Sequence, residues 1–400
     1  MDLSYGTVYE TFREEVRSFL QEHGHEAPTN QRDYRSDKAL AWQERLIKQG
    51  YTARTIPKKY GGAGAEPDIL KTRIIADEFA AAKVTSGIGG QGIAMLVPTL
   101  LELGTEAQRS EIIPPTLRGE LFWCQGYSEP DAGSDLASLR TNAYLDGDEW
   151  VINGSKIWTS SAHFADWMFC LVRTEPDAPK HDGISFLLFR MDTPGIDVRA
   201  LHDMTETRNF NEVFFTDVRV PAGQIIGERG QGWRVANTIL GHERELLGDP
   251  NMALTRLNNL IQLMRTETID GRRISDMPVF RDRVMRIQGK VMAMRFNDLR
   301  LLSAKINQQS APLARMVVKL QGTELRHELE KLAVDVMGEF GLAYGDNEYL
   351  RGDGLWQWNY MYYLGLIIGG GTSQIQKNII SERGLNMPKE PKVVATAGNA

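Results

Sequence analysis

The residues best suited to chemistry lie in one run, WCQGYSEPDAGSDLASLRT at 123–141. It combines a pair of backbone-exposing glycines with small hydroxyls around one acidic turn. Such a loop can offer N–H and O–H donors to a planar polar ring or to a phosphate. On residue chemistry alone it reads equally well as a turn leaving a strand. Gly87, Gly89 and Gly92 spell GxGxxG. That pattern marks dinucleotide binding only after a strand and within a βαβ unit, and the preceding DEFAAAKVTS is helical in character, so a helix–helix turn is expected there. The seven histidines form no HExxH and no cluster with cysteine, so no metal site is expected. Cys124 and Cys170 are the two cysteines and stand in no CxxC; they read as small buried hydrophobes in a reducing compartment.

The elements that position these residues follow from periodicity. From residue 7 to about 120 the apolar period is helical: Val8, Phe12, Val16, Phe19 and Leu20 share one face, and the spacing recurs over 39–49, 69–82, 92–103 and 106–118. Between 121 and 232 the texture becomes strand-like. EWVINGSKIWTS, DWMFCLVRTE, GISFLLFRM and NEVFFTDVRVP are short, aromatic and β-branched, and turn signals separate them. A compact antiparallel barrel or sandwich is expected. Helical period returns from 233, with one stripe at Val284, Ile287, Val291 and Met294. A second runs through Leu313, Val317, Leu320, Leu325, Leu329, Leu332 and Val336. A last helix starts at Thr372 as N-cap, turns Ile375, Ile379 and Ile380 inward and ends at Gly384. A helical bundle is expected, followed by a loose tail over 387–400. The domains are thus 1–120 all-α, 121–232 β and 233–400 bundle and tail: mainly α with a central β domain.

Composition narrows the function classes. The 400 residues carry 46 Lys+Arg against 52 Asp+Glu, a net charge of −6, which argues against broad nucleic-acid binding. No run approaches the ~18 apolar residues of a membrane span. The acidic, amphipathic N-terminus resembles neither a signal nor a transit peptide. A cytoplasmic protein without membrane or nucleic-acid partners is expected.

Several blocks in order resemble the acyl-CoA dehydrogenase family: the 123–141 run, IPKKYGGAG (56–64), GTEAQRSEIIPPTLRGE (104–120), INGSKIWTSSAHFADW (152–167), FNEVFFTDVRVP (210–221), GERGQGW (227–233) and GGTSQIQKNIISER (370–383). The resemblance implies an N-terminal helical domain, a central β-barrel and a C-terminal four-helix bundle, with FAD bound between the last two. It assigns cofactor contacts to Gln125, Tyr127, Ser128, Gly133, Ser134, Trp158, Thr159, Ser160, Thr372 and Gln374. In the run Trp158, Thr159, Ser160, which matches a family Trp-x-Thr that stacks on and hydrogen-bonds the flavin, Ser160 replaces the threonine and keeps its hydroxyl, and Ser134 would also touch the acyl-CoA. The implied reaction is α,β-dehydrogenation of an acyl-CoA thioester, with electrons leaving to an electron-transfer flavoprotein.

Two departures sharpen this expectation. Many members carry the base as a glutamate just before the Gly-Thr of the last helix, and Gly370 stands there. A subset carries it on the first bundle helix before an arginine, where this sequence has Glu243 and Arg244. Glu243 is therefore the expected base for the α-proton. Arg244 would position it or the CoA moiety, and the Gly370 N–H would serve the thioester carbonyl. The segments that hold a neighbour's FAD pyrophosphate and adenine also differ: no Arg-x-x-Phe-Gly is present, Asp335 stands for glutamine and Glu339 for glycine. Arg272 and Arg273 are candidate replacements. These features resemble the heteromeric α2β2 branch, whose members act on steroid side-chain or dicarboxylic acyl-CoAs. A second homologous subunit is thus expected as partner, with a homotetramer as the alternative. Competing readings are a non-catalytic partner subunit and an acyl-CoA oxidase-like enzyme.

Overall fold

A computed structural model of the chain describes residues 6–29, 34–248 and 250–389, except the side chains of 244–247. The Arg244 side chain and most of the expected tail lie outside the described residues. The chain divides into two compact units, Met1–Glu243 and Arg244–Ala400.

The first unit opens with five helices: α1 (Thr7–His23), α2 (Asp37–Gln49), α3 (Ile69–Ala82), α4 (Val97–Leu103) and α5 (Glu106–Leu117). Side chains cap three of them. Ser36 accepts from the Ala39 N–H, Asp68 accepts from the Lys71 N–H, and Thr105 forms a capping box with Gln108. Val16, Phe19 and Leu20 of α1 are buried with Trp42, Leu46, Ile74 and Phe79. Val8, expected on the same face, is exposed in the first turn. The GxGxxG run is the link from α3 to a π turn (Gly92–Leu96) before α4. A Cβ at Gly92 would lie 2.4 Å from the Trp123 ring, so that glycine serves packing.

Seven strands follow: β1 (Trp123–Gly126), β2 (Asn142–Asp146), β3 (Glu149–Ser160), β4 (Trp167–Arg173), β5 (Ile184–Arg190), β6 (Ile196–Leu201) and β7 (Phe210–Pro221). Their order is β1-β4-β2-β3-β7-β6, with β5 also on β4. The expectation of an antiparallel module needs correction, because β1 pairs with β4 in parallel, Trp123 opposite Trp167 through Gly126 opposite Cys170. Parallel partners need a long crossover, and here the β2–β3 hairpin sits inside it. Cys124 and Cys170 are both buried in the sheet core. Helix α6 (Gly232–Leu247) lies in this unit up to Glu243; its Val235, Ala236 and Ile239 join the core of Tyr127, Phe169 and Phe186.

The second unit contains α7 (Pro250–Thr266), a two-stranded ribbon of β8 (Thr268–Ile269) and β9 (Arg272–Arg273), α8 (Pro278–Ile306), α9 (Pro312–Val336), α10 (Leu355–Ile368) and α11 (Ser373–Ile379). Its core unites Leu257 and Leu260 with the whole α8 stripe and with Leu325, Leu329, Leu332 and Val336 of α9. Leu313, at the start of the expected α9 stripe, is exposed. The short α11 also departs from expectation. Its buried residues are Ser373 and Gln376, and Ile375, Ile379 and Ile380 are only half-buried. Gln376 is drawn inward because its amide donates to the Gly370 carbonyl at 3.0 Å.

Candidate active site

The run after β1 is fixed by one buried charge pair. Lys156 of β3 is fully buried; its ammonium donates to Glu129 Oε1 at 2.7 Å and to the Tyr127 carbonyl at 3.1 Å. Glu129 also accepts from the backbone N–H of Arg140 at 2.6 Å and of Thr141 at 2.9 Å. The Ile157 N–H donates to the Ser128 carbonyl at 2.8 Å. The loop bearing Ser128 and the strand leading to Trp158 are therefore one construction. Burial pushes the Glu129 carboxyl up, but the Lys156 charge and hydrogen bond, with Thr141 and the Arg140 N–H, outweigh it and hold the group below its ordinary value.

Two residues on, β3 carries a bulge. The register passes from Lys156 opposite Val213 to Thr159 opposite Asn211, so two residues oppose one. Trp158 adopts φ 60°, rare for an aromatic residue, and is 59% exposed, its ring edge-on to Phe210 at 6.0 Å. Thr159 is fully buried, and its hydroxyl has no hydrogen-bond partner among the described residues. Asn211 donates to the Thr159 carbonyl at 3.0 Å and fixes the bulge. Ser160 and Ser128 are half-buried, and Gly133 and Ser134 are exposed. Half-buried Gln125 accepts from Gln91 at 3.5 Å.

Glu243 lies on α6 four residues after Ile239 and seven after Ala236, on the stripe that packs against Tyr127. Burial raises the Tyr127 phenol well above its ordinary value, and the charge of Glu243 adds to the effect. The fold thus brings Glu243 to the 123–128 segment, some 115 residues earlier in the chain.

A cleft of about 710 Å³ is lined by His181, Asp182, Gln231, Trp233, Arg234 and Asn237. The His181 and Trp233 ring centroids are 4.8 Å apart. Beside His181, Lys180 donates to Asp135 at 2.7 Å and to Ser138 at 2.6 Å, which joins the cleft wall to the turn bearing Ser134. Gln231 and Trp233 fall in the GERGQGW block, whereas His181, Asp182, Arg234 and Asn237 carried no sequence signal. Lys156 had a signal: it falls in phase with inward Trp150 and Ile152, where a lysine requires a buried partner.

In the second unit, Thr372 caps α11 by accepting from the Ile375 N–H at 3.2 Å. Gln374 is exposed, and Gly370 sits at φ 64°. Asp335 is paired with Arg283 at 2.5 Å, so its charge is compensated within the chain. Arg272 and Arg273 are exposed on β9. Among the described residues no cluster of three or more His, Cys, Asp or Glu could hold a metal, and no helix is long and apolar enough to cross a membrane.

Three family models match in chain order: the N-terminal domain of acyl-CoA dehydrogenases at 8–120, the middle domain at 124–218 and the C-terminal domain at 230–385. The chain belongs to the acyl-CoA dehydrogenase family. Members of this enzyme family are flavoproteins. The chain is 38% identical over 358 residues to acyl-CoA dehydrogenase IpdE1 of Mycobacterium tuberculosis, covering 89% of this chain and 90% of that one. It is similar to a chain of the ChsE4-ChsE5 complex of Mycobacterium tuberculosis, with a TM-score of 0.81 and 30% identity over 98% of this chain and 100% of that one. A chain of the Tcur3481-Tcur3483 steroid ACAD gives a TM-score of 0.80 and 27% identity over 98% and 100%.

Proposed function

We propose that this acyl-CoA dehydrogenase chain is an FAD-dependent, base-bearing subunit that desaturates an acyl-CoA thioester between Cα and Cβ. The observation that carries the reading is the β3 bulge. A tryptophan is held outward there at φ 60° and 59% exposed, and two residues on the half-buried Ser160 keeps a hydroxyl, so the bulge offers a planar polar ring a face and a donor. When bound there, the flavin supplies the acceptor for the β-hydride. Ser160 would hydrogen-bond the ring and Trp158 cover a face, with Thr159 fixing the bulge between them through its bond from Asn211, while Gln125, Tyr127, Ser128 and Gly133 would form the adjoining wall. Glu243 takes the α-proton on its carboxylate, and Arg244 follows it on the same helix. The Gly370 N–H donates to the thioester carbonyl, where enolate charge develops, and Thr372 and Gln374 belong to the segment following it. The cleft of Arg234, beside Ser134, offers a guanidinium to the phosphates of CoA.

The substrate is a bulky acyl-CoA of the steroid side-chain or dicarboxylic kind. The likeness to a chain of the Tcur3481-Tcur3483 steroid ACAD supports the steroid side of this reading. A second, homologous subunit supplies groups for the rest of the FAD, electrons leave to an electron-transfer flavoprotein, and the protein works in the cytoplasm. The complex titrated anaerobically with acyl-CoA bleaches its flavin absorbance, and Glu243→Gln abolishes the bleaching while keeping the flavin. Near-normal reduction in Glu243→Gln overturns the base assignment. A stable homo-oligomer of this chain alone with one tight FAD per chain overturns the heteromeric reading.

A further inference from the structure

Helix α10 passes to α11 through Gly369–Thr372, a turn in which Gly370 and Gly371 both adopt left-handed conformations, φ 64° and 89°. Three glycines give such a turn no side chains with which to hold itself. A lysine from another helix holds it. Lys319 of α9 is 1% exposed; its ammonium donates to the Ile367 carbonyl at 3.2 Å and to the Gly371 carbonyl at 2.7 Å. Ile367 contributes one of the terminal carbonyls that α10 leaves unsatisfied, at the negative pole of its dipole. Gly371 lies four residues on, so one buried cation spans the turn. Gln376 of α11 pins the Gly370 carbonyl, and a Cβ on Gly371 would lie 2.7 Å from its amide nitrogen. The carbonyls of 367, 370 and 371 are thus anchored on both sides of the Gly369–Gly370 peptide, and the Gly369 N–H donates to the Gly365 carbonyl at 2.8 Å. No described residue accepts a hydrogen bond from the Gly370 N–H.

Glycine and solvent ordinarily close a helix C-terminus. A buried ammonium is a costlier device, and it sets a positive charge beside the turn. We propose that Lys319 is a positioning residue which, with Gln376, fixes the Gly369–Gly370 peptide so that the Gly370 N–H is presented to the thioester carbonyl. The proposal rests on the role given to Gly370 above. Lys319 reaches the reaction only through that peptide.

Lys319→Met keeps the length of the side chain and removes its donors, and Gln376→Met removes the second anchor while leaving the ammonium buried. Hydrogen exchange by mass spectrometry on the purified complex reads the clamp directly. Exchange over 366–375 accelerates by about tenfold in either variant and is unchanged elsewhere in α8 and α9. Anaerobic flavin reduction is then followed with whichever thioester of a straight-chain, ring-bearing and dicarboxylic panel reduces the wild-type protein fastest. Its limiting rate falls by about tenfold, while half-saturation moves by less than about threefold. Unchanged exchange over 366–375, or acceleration spread through α8 and α9, overturns the proposal. So does an undiminished limiting rate despite faster local exchange. Where Lys319→Met yields no folded protein, Gln376→Met carries the same comparison. If no thioester reduces the wild-type flavin while local exchange still responds to Lys319→Met, the role of Gly370 is overturned, and the positioning role with it, and the clamp stands.

Discussion

Lys156 and Glu129 meet at 2.7 Å with side chains 0% and 7% exposed, and the pair joins the loop bearing Ser128 to the strand bearing Trp158. Removing one partner strands the other charge in the core. Lys156→Met or Glu129→Gln is therefore expected to cost about 3–5 kcal/mol in chemical denaturation of the flavin-free chain, and the variants that fold should retain less flavin than wild type. The double variant Lys156→Met/Glu129→Gln recovers part of the stability, because neither charge is then left alone. If it recovers flavin retention completely, the pair has no part in shaping the flavin seat.

The same pair sets an acid limit. Glu129 is held below its ordinary value of 4.5, so the unfolded chain binds the proton more readily than the folded one. Its stabilising contribution is fully present above 4.5 and is lost as pH falls through the lower folded value. Denaturation midpoints measured downward from pH 6 should decline below about 4.5, and the decline should be shallower in Glu129→Gln.

Thr159 gives a test in which stability and binding move apart. Its buried hydroxyl has no partner among the described residues, so Thr159→Val removes an unsatisfied group. The flavin-free chain should unfold at the same midpoint or gain up to about 1 kcal/mol. Flavin affinity, read by titration of absorbance or fluorescence, should be unchanged, because a hydroxyl closed to solvent does not reach a bound ring. A variant that loses stability without the flavin and binds it normally would show that the hydroxyl is satisfied within the protein.

Much of this was legible in the sequence, for physical reasons that also mark where legibility ended. The helices over 69–82 and 106–117 follow from a 3.6-residue apolar period and side-chain caps, both local properties. The parallel pairing of β1 with β4 depends on which strands meet, which period does not encode. Ile375, Ile379 and Ile380 have the spacing of an inner face, yet the inward residues of α11 are Ser373 and Gln376, because a hydrogen bond to Gly370 outweighs apolar preference there. Family blocks identified Trp158 and Thr159. The strained bulge that turns Trp158 outward, and the burial of the Thr159 hydroxyl beside it, are tertiary facts. The partner of Asp335, Arg283, lies 52 residues away in the chain, so their pairing is likewise a tertiary fact.

Gly370 at φ 64° yields a further expectation. A Cβ in the left-handed region costs roughly 1–2 kcal/mol, so Gly370→Ala should lower the thermal midpoint of the second unit. Gly370→Glu should do the same and should not restore a base to Glu243→Gln, because the strain acts on the peptide whose N–H is proposed to serve the carbonyl. Recovery of flavin bleaching by Glu243→Gln/Gly370→Glu would show that the turn accepts a side chain without disturbing that peptide.

The bundle carries a titration of opposite sign to that of Glu129. Glu330 is fully buried on α9, bonded by Arg256 at 2.6 and 2.5 Å, and the guanidinium stacks over Trp356 at 4.1 Å. Burial pushes the Glu330 carboxyl up to about 7 against the pull of Arg256. The folded chain then binds the proton more tightly than the unfolded chain, so this group's contribution to stability is largest below 4.5 and falls as pH rises towards about 7. The thermal midpoint of the bundle should decline between pH 5 and pH 7.5, and Glu330→Gln, which keeps an acceptor for Arg256, should flatten that decline. A midpoint that rises with pH across this window in wild type, and equally in Glu330→Gln, would mean that Arg256 keeps the carboxylate ionised throughout and that the pair behaves as a fixed salt bridge.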